Sequence, residues 1–96
     1  MRVIIRFSLN GSNRRQTQLR QLIRNRLENQ GIHWTGKTTS TYEGDVAETQ
    51  IRNAVRDVWT AAATFPGNAH IDHFWMYADH GAPNLVAPAT AEALGL

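Results

Sequence analysis

Residues 2–29 read RVIIRFSLNGSNRRQTQLRQLIRNRLEN, which predicts a strand, a turn and a helix in direct succession. Apolar and polar side chains alternate along the first part, as in a strand with one buried face. Asn10-Gly11 has the composition of a turn, and Ser12 or Asn13 is placed to cap the helix. Leucine and isoleucine then recur at the spacing of one buried stripe, so we expect the helix to pack on the strand and to end at Gly31.

A predicted hairpin follows the first helix. Residues 32–35 and 39–42 are rich in β-branched and aromatic residues, and they flank Gly36-Lys37, a dipeptide that suits a tight turn. A two-residue turn at this point places Trp34 beside Thr39. The sequence therefore predicts two short antiparallel strands in this register.

A second helix and a further strand complete the pattern. Asp45 followed by Glu48 fits a capping box, and apolar residues recur at helical spacing to about Ala63. Residues 65–68 break the helix, and residues 70–78 alternate again as a strand. The predicted order is strand, helix, strand, strand, helix, strand.

This order predicts an α+β fold, a ferredoxin-like β-α-β-β-α-β sandwich with a four-stranded antiparallel sheet and two helices on one face. A chain of 96 residues has room for one hydrophobic core, so we expect one domain over residues 1–80. Residues 81–96 are rich in alanine, proline and glycine. We expect them to form a flexible or partner-docking tail with a short helical turn that starts at Pro88.

The composition excludes several classes of function. The chain has no cysteine, which removes disulfides, thiolate zinc sites and cysteine nucleophiles. The sequence contains no phosphate-binding loop, dinucleotide fingerprint or nucleophile elbow, so we expect no cofactor. It also lacks an apolar run of the kind that forms a signal peptide or a membrane span, and we expect a cytoplasmic protein without membrane contact.

Charge is divided unevenly along the chain. Residues 1–37 carry eight basic groups and one acid, whereas residues 38–96 carry two basic groups and seven acids. This asymmetry favours either attraction of a polyanion or pairing of unlike surfaces between two copies. The candidate nucleic-acid-binding residues are Arg2, Arg6, Arg14, Arg15, Arg20 and Arg24. For the helix arginines, a merely solvated face is the alternative.

Two helices cover only one face of such a sheet, and the other face stays open. The pattern places on the open face Arg2, Ile4, Arg6, Ser8, His33, Thr35, Ser40, Tyr42, Ile71, His73, Trp75 and Tyr77. A surface of this composition is too apolar to be only solvated. We expect it to form a homodimer interface, and the interface residues would be Ile4, Tyr42, Ile71, Trp75 and Tyr77. The alternative is that this face stacks the bases of single-stranded RNA.

Histidines are the candidates for catalysis. His33, His73 and His80 could each act as the general base in a weak, metal-independent cleavage of RNA. Asp72 adds a residue type that binds metals, but successive residues of a strand point to opposite faces, so at most two local ligands converge. We therefore expect no metal site here, and ordinary structural roles are the alternative for these residues.

The beginning of the chain resembles a known family. The strand Val3-Ile4-Ile5-Arg6-Phe7-Ser8 leads through a short turn into the arginine-rich helix Arg14-Arg15-Gln16-Thr17-Gln18-Leu19-Arg20. In this pattern, residues 1 to about 80 resemble the second core CRISPR-associated protein and its relatives, which include the antitoxin endoribonucleases of type V toxin-antitoxin systems. The resemblance implies a homodimer with facing sheets and a nucleic-acid-related role. That CRISPR family holds a metal with an aspartate at the end of the first strand, where this chain has Ser8, Leu9 and Asn10.

Three classes of function therefore stay open. The first is a small dimeric protein that binds RNA or DNA through the arginine-rich helix, with or without weak endoribonuclease activity. The second is a protein-interaction or regulatory module of the antitoxin or inhibitor type, which would bind a protein partner through acidic residues or through the tail. The acidic residues concerned are Asp45, Glu48 and Asp57. The third, a small-ligand enzyme, would need a cavity between helices and sheet, lined by Trp34, Trp59 and His73.

Overall fold

The computed structural model describes residues 1–36 and 40–79 and the backbone of residues 87–89. The helices and strands in chain order are β1 (Arg2–Asn10), α1 (Asn13–Asn29), β2 (His33–Trp34), β3 (Thr41–Asp45), α2 (Glu48–Thr64), β4 (His70–Asp79) and β5 (Ala87–Ala89).

The strands form an antiparallel sheet in the order β2-β3-β1-β4-β5. Its first four strands and the two helices have the ferredoxin-like layout, so the predicted α+β fold is confirmed. β5 adds a fifth strand at the outer edge of β4, where Pro88 lies opposite Tyr77. The helical turn predicted at Pro88 is therefore wrong, and an edge strand is the position in a sheet that tolerates a proline.

Alternation along β1 determines which face of the sheet is covered. Val3, Ile5 and Phe7 are buried beneath the helices, while the residues between them face the other way. The helices contribute the opposite layer of the core: Leu19, Ile23 and Leu27 from α1, and Ile51, Ala54, Val55, Val58 and Ala61 from α2. The residues of α1 and α2 left outside these stripes are mostly polar, which is why each helix lies flat on the sheet.

The helix starts agree with the sequence in one case and differ in the other. Ser12 caps α1, because its Oγ accepts a hydrogen bond from the backbone N–H of Arg15 at 3.3 Å. The prediction that Asp45 caps α2 is wrong. Asp45 ends β3, and its Oδ1 lies 3.1 Å from the N-terminal ammonium of Met1. In its place, the side chain of Gln50 accepts a hydrogen bond from the backbone N–H of Ala47 at 3.1 Å.

The hairpin register differs from the prediction by three residues. Trp34 lies opposite Tyr42 and not opposite Thr39. Because a shift by an odd number of residues reverses the faces of a strand, Tyr42 points to the helices. It is 1% exposed and stacks on Phe7 with 5.7 Å between ring centroids. The prediction that Tyr42 lies on the open face is therefore wrong, and burial of its ring explains the register.

A β-bulge in β4 changes the face of the sheet on which a second predicted residue lies. Ser8 lies opposite His73 but Leu9 lies opposite Ile71, so Asp72 is an extra residue in β4. Ile71 consequently packs against the core and not on the open face, where it had been predicted. Beyond the bulge the predicted faces are confirmed, since Trp75 is 41% exposed on the open face.

Candidate nucleic-acid interface

A groove crosses the sheet edge where β1 continues past β3. Arg6 is the last residue of β1 with a β3 partner in the register, and β1 extends to Asn10. A cavity of about 330 Å³ lies at this step. Its lining residues are Arg6, Phe7, Ser8, Leu9, Arg20, Ser40, Thr41 and Trp75. The cavity thus connects the open face of the sheet with the side of α1.

Two smaller cavities extend this space in both directions. A cavity of about 200 Å³ along α1 shares Arg20 with the first, and one of about 170 Å³ on the open face shares Arg6 and Trp75. The α1 cavity is lined by Thr17, Arg20, Gln21, Arg24, Trp34 and Tyr42, and the open-face cavity by Arg6, Trp75 and Tyr77. We call the three together the edge groove. It is a series of cavities open to solvent rather than one enclosed pocket.

The α1 part of the edge groove combines two cations with an exposed aromatic ring. The guanidinium carbon of Arg24 lies 5.1 Å from the centroid of the Trp34 ring, a cation–π distance. Arg20 Nε donates a hydrogen bond to Ser40 Oγ at 3.2 Å. Since Arg20 and Arg24 are one helical turn apart, they present two positive charges on one side of α1.

The arginines of the edge groove differ in how freely they can meet an anion. Arg24 Nε donates to Glu28 Oε1 at 2.8 Å, and this hydrogen bond raises the pKa of Arg24 above its ordinary value. A phosphate at Arg24 therefore competes with a carboxylate. Arg6 is exposed on the open face and forms no ion pair with any of the described residues. Arg6 and Arg20 are consequently the stronger candidates for phosphate contact.

The other predicted arginines lie outside the edge groove. Arg15 is nine residues from Arg24, about two and a half helical turns, and so lies on the opposite side of α1. Its Nη1 donates to Gln18 Oε1 at 3.0 Å. Arg14 is exposed but does not line the groove, and Arg2 contacts Glu43 at 3.2 Å at the far end of β1. Arg14 and Arg15 therefore do not line the edge groove with Arg20 and Arg24, and nucleic-acid binding by Arg2, Arg14 and Arg15 stays a prediction.

The candidate catalytic histidines do not come together. His33 lies opposite Glu43 on the open face and His73 lies opposite Ser8. Strands β3 and β1 separate the two histidines across the sheet, and their register positions beside Ile4 and Ser8 are four residues apart along β1. The histidines are therefore more than about 14 Å apart. His80 is outside the described residues. Within the described residues no group of three histidine or acidic side chains could hold a metal ion.

His73 is nevertheless held in a defined orientation beside the edge groove. Its Nδ1 lies 3.2 Å from Ser8 Oγ and 3.2 Å from Asp72 Oδ2. The imidazole ring also stacks on Trp75, with 5.1 Å between centroids and 6° between planes. Ser8 and Trp75 both line the groove, so His73 lies directly behind its wall. RNA cleavage by His73 stays a prediction.

The residues expected to bind partners are spread over separate surfaces. Ile4 and Tyr77 lie opposite each other on the open face beside Trp75, so these residues remain available for the expected homodimer, which stays a prediction. Glu48 pairs with Arg52 at 3.2 Å. Asp57, near the middle of α2, lines a different cavity of about 290 Å³ with Arg26, Thr60, Ala61 and Thr64.

The predicted small-ligand pocket is not formed by the described residues. Trp59 packs on Phe74 with 5.5 Å between ring centroids, on the helix side of β4. Trp34 lies beside α1, and His73 is on the open face. The three residues thus lie in three separate places, and the prediction of one cavity lined by all of them is wrong.

No family model, curated protein or solved structure matches this chain. The resemblance to the CRISPR-associated and antitoxin proteins therefore stays a hypothesis. Neither α1 nor α2 combines the length and the apolar composition that crossing a membrane requires, as far as the described residues extend.

Burial of the Tyr42 ring predicts a loss of stability at alkaline pH. Burial raises the pKa of Tyr42 above its ordinary value of 10.0. The unfolded chain then loses this proton more readily than the folded chain, so the free energy of unfolding should fall as the pH rises above about 10. Denaturant unfolding at pH 8 and pH 11 should show a smaller alkaline loss for Tyr42→Phe than for the parent. Tyr77→Phe, on the open face, is the control; an equal loss in all three proteins would contradict the prediction.

Proposed function

We propose that this protein binds single-stranded RNA or DNA along the edge groove. The observation that carries the proposal is that Arg6, Arg20 and Arg24 line adjoining cavities between Trp75 at one end and Trp34 at the other. Single-strand binders combine a positively charged path for phosphates with aromatic rings on which bases stack. Each base stacked on an aromatic ring contributes about 1–3 kcal/mol to such complexes.

The form of the groove favours a single strand over a duplex. The bases of a duplex are already stacked on one another, and their faces cannot reach a protein side chain. In a single strand the bases are separable and can lie on the exposed rings of Trp34 and Trp75, which are 42% and 41% exposed. The arginines between these rings lie where the phosphates of the same strand would pass.

The charges on the open face favour one path for the bound nucleic-acid strand. Acidic residues gather at the end of the sheet away from the groove, where Asp45 and Asp79 both lie opposite Arg2. Glu43 lies beside them and contacts Arg2 at 3.2 Å. The Met1 ammonium and the Arg2 guanidinium pair with two of the three carboxylates, which leaves this end with one net negative charge. A bound strand should therefore leave the open face near Trp75 and continue over the edge toward α1.

Tryptophan fluorescence tests this proposal, because the chain has three tryptophans and the groove uses two. We would prepare variants that keep only Trp34, only Trp75 or only Trp59, with phenylalanine at the other two positions. Addition of single-stranded oligothymidylate at low salt should quench the Trp34-only and Trp75-only proteins, because stacked bases quench indole emission. Trp59 lies on α2 against Phe74 and is the internal control.

The outcomes separate the possibilities. Equal quenching of all three variants would indicate nonspecific association with the protein surface and would contradict binding along the edge groove. Quenching of Trp34 alone would contradict the extension of the groove onto the open face and would favour the dimer interface there. If the protein binds neither single-stranded DNA nor single-stranded RNA at low salt, the proposed function is contradicted altogether. The protein-interaction module would then be the better hypothesis.

A further inference from the structure

We propose that Trp75 and Tyr77 form a slot on the open face that takes one base of the bound strand between their rings, with a phosphate of that nucleotide on Arg6. This inference rests on the proposed function and deepens it. It adds Tyr77 to the binding residues, and it makes part of the affinity depend on a base that has left the stack of its neighbours. The ligand of the slot is therefore a single unstacked nucleotide.

The spacing of residues along β4 sets the width of the slot. Trp75 and Tyr77 are successive open-face residues of this strand, and their partners on β1 are Arg6 and Ile4. Two residues of an antiparallel strand span about 6.8 Å, and their side chains stand roughly perpendicular to the sheet. Stacked bases of one nucleic-acid strand lie about 3.4 Å apart. Aromatic rings on alternate residues of a strand therefore leave the separation that one inserted base requires.

A cavity, and not a ring contact, separates Trp75 from Tyr77. The cavity has a volume of about 170 Å³ and is lined by the two rings and by Arg6. On its other side, Trp75 stacks on His73 with 5.1 Å between centroids and 6° between planes. That distance is shorter than the spacing of alternate residues, so the His73 and Trp75 rings lean together. One face of Trp75 is thus covered by the imidazole, while the other face borders the cavity on the Tyr77 side.

Arg6 connects the slot with the rest of the edge groove. It lines both the slot and the neighbouring cavity of about 330 Å³. Its side chain is exposed, and a phosphate bound there would be held by a charge-assisted contact. Because the base and the phosphate of a nucleotide are joined through the sugar, a base in the slot places its phosphate near Arg6. The remainder of the strand can then continue toward Arg20.

The slot differs from the other aromatic position of the edge groove. The α1 cavity is lined by Trp34 and Tyr42, but Tyr42 is 1% exposed, so of the described residues there only Trp34 offers an accessible ring. The guanidinium carbon of Arg24 also lies 5.1 Å from the centroid of the Trp34 ring. A base at Trp34 therefore stacks on one ring, whereas a base in the slot contacts two.

The test compares two strands with the same number of phosphates, a nonathymidylate and an abasic strand of equal length, by fluorescence anisotropy. The parent protein should bind the nonathymidylate at least about tenfold more tightly, since stacking of a single base accounts for about fivefold or more. Tyr77→Ile, which suits a strand but removes the ring, should lower the affinity for the nonathymidylate about fivefold. Its affinity for the abasic strand should change less than twofold, because that strand has no base to stack. Tyr77→Phe keeps the ring and should restore the preference.

The two strands separate failure of the slot from failure of the proposed function. A preference for the nonathymidylate that Tyr77→Ile leaves unchanged would overturn the slot while stacking on the tryptophans remains. Equal losses on both strands would also overturn it, because Tyr77 would then act through the fold. A change in the mass of Tyr77→Ile by light scattering, with the preference unchanged, would assign Tyr77 to a homodimer interface instead. If the parent binds neither strand, or both equally, the proposed function itself is contradicted.

A second measurement needs no change at Tyr77. Strands that carry 5-iodouracil in place of thymine crosslink under ultraviolet light, preferentially to aromatic side chains that stack on the base. Mass spectrometry of the digested parent protein should locate crosslinks on Trp75 or Tyr77 as well as on Trp34. Crosslinks on Trp34 alone would overturn the slot even if the Tyr77 variants do not fold.

Discussion

Replacing Arg6 and Arg20 together by alanine should weaken binding of a single-stranded oligonucleotide by about a hundredfold at low salt. Each arginine would lose one charge-assisted contact with a phosphate, and a factor of about ten for each contact is within the range for hydrogen bonds to charged groups. The salt dependence should change as well. Each phosphate contact with a single strand contributes about 0.7 to the slope of log affinity against log salt, so the slope should fall by about 1.4.

The matched control removes the same net charge from other surfaces. Arg14 is exposed on α1 outside the edge groove, and Arg56 is exposed on α2. At about 0.15 M salt, Arg14→Ala with Arg56→Ala should reduce the affinity less than threefold, because the attraction of exposed charges more than about 8 Å from the strand is largely screened at this ionic strength. Fluorescence anisotropy titrations at several salt concentrations would measure both effects. Equal losses in the two double variants would show that net charge, and not the groove, determines binding.

The architecture could be predicted because each element carries its own periodic signal. The alternation along Val3, Ile5 and Phe7 and the stripe of Leu19 and Ile23 are local patterns, and the structure buries both sets. The order of such elements then leaves few topologies for a single sheet with two helices. Neither step requires knowledge of which residues of two strands face each other.

The faces of individual strands could not be predicted in the same way. Periodicity orders the residues of one strand relative to each other, and a register shift or an inserted residue reverses the assignment. Tyr42 and Ile71 illustrate the two cases, the first through the hairpin register and the second through the extra residue Asp72. In both cases burial of a large apolar side chain prevailed over the simplest pairing. A buried ring is worth more than the ideal turn that would have exposed it.

The candidate site was predictable only in part. The spacing of Arg20 and Arg24 predicts a shared side of α1, and both do line one cavity. The sequence did not link them to Trp34, or Arg6 to Trp75, because these residues meet only through the sheet register and the packing of α1. The i to i+4 arginine pair followed by an exposed tryptophan after the helix was the one available signal for the α1 part of the groove.

Replacing Gly11 by alanine should cost at least about 3 kcal/mol of the free energy of unfolding. Gly11 connects β1 to α1 with φ at +125°, a conformation that residues with a side chain rarely adopt. A Cβ at this position would overlap the carbonyl oxygen of Asn68 and lie 2.7 Å from Cα of Ala69. Because both neighbours are backbone atoms next to the start of β4, neither can move without shifting that strand. A domain of this size should lose at least about 12 °C in its melting temperature.

Gly36→Ala is the control that separates the clash from the backbone conformation. Gly36 also has a positive φ, at +77°, but no described atom outside its immediate chain neighbours lies within 4 Å of a Cβ built there. Its replacement by alanine should lower the free energy of unfolding only by the strain of the left-handed conformation, about 1–2 kcal/mol. Denaturant unfolding of both variants gives the comparison directly, and a Gly11→Ala protein no less stable than Gly36→Ala would contradict the close approach. Since β4 carries Trp75 and His73, the same Gly11 variant should also bind oligonucleotide less tightly even where it remains folded.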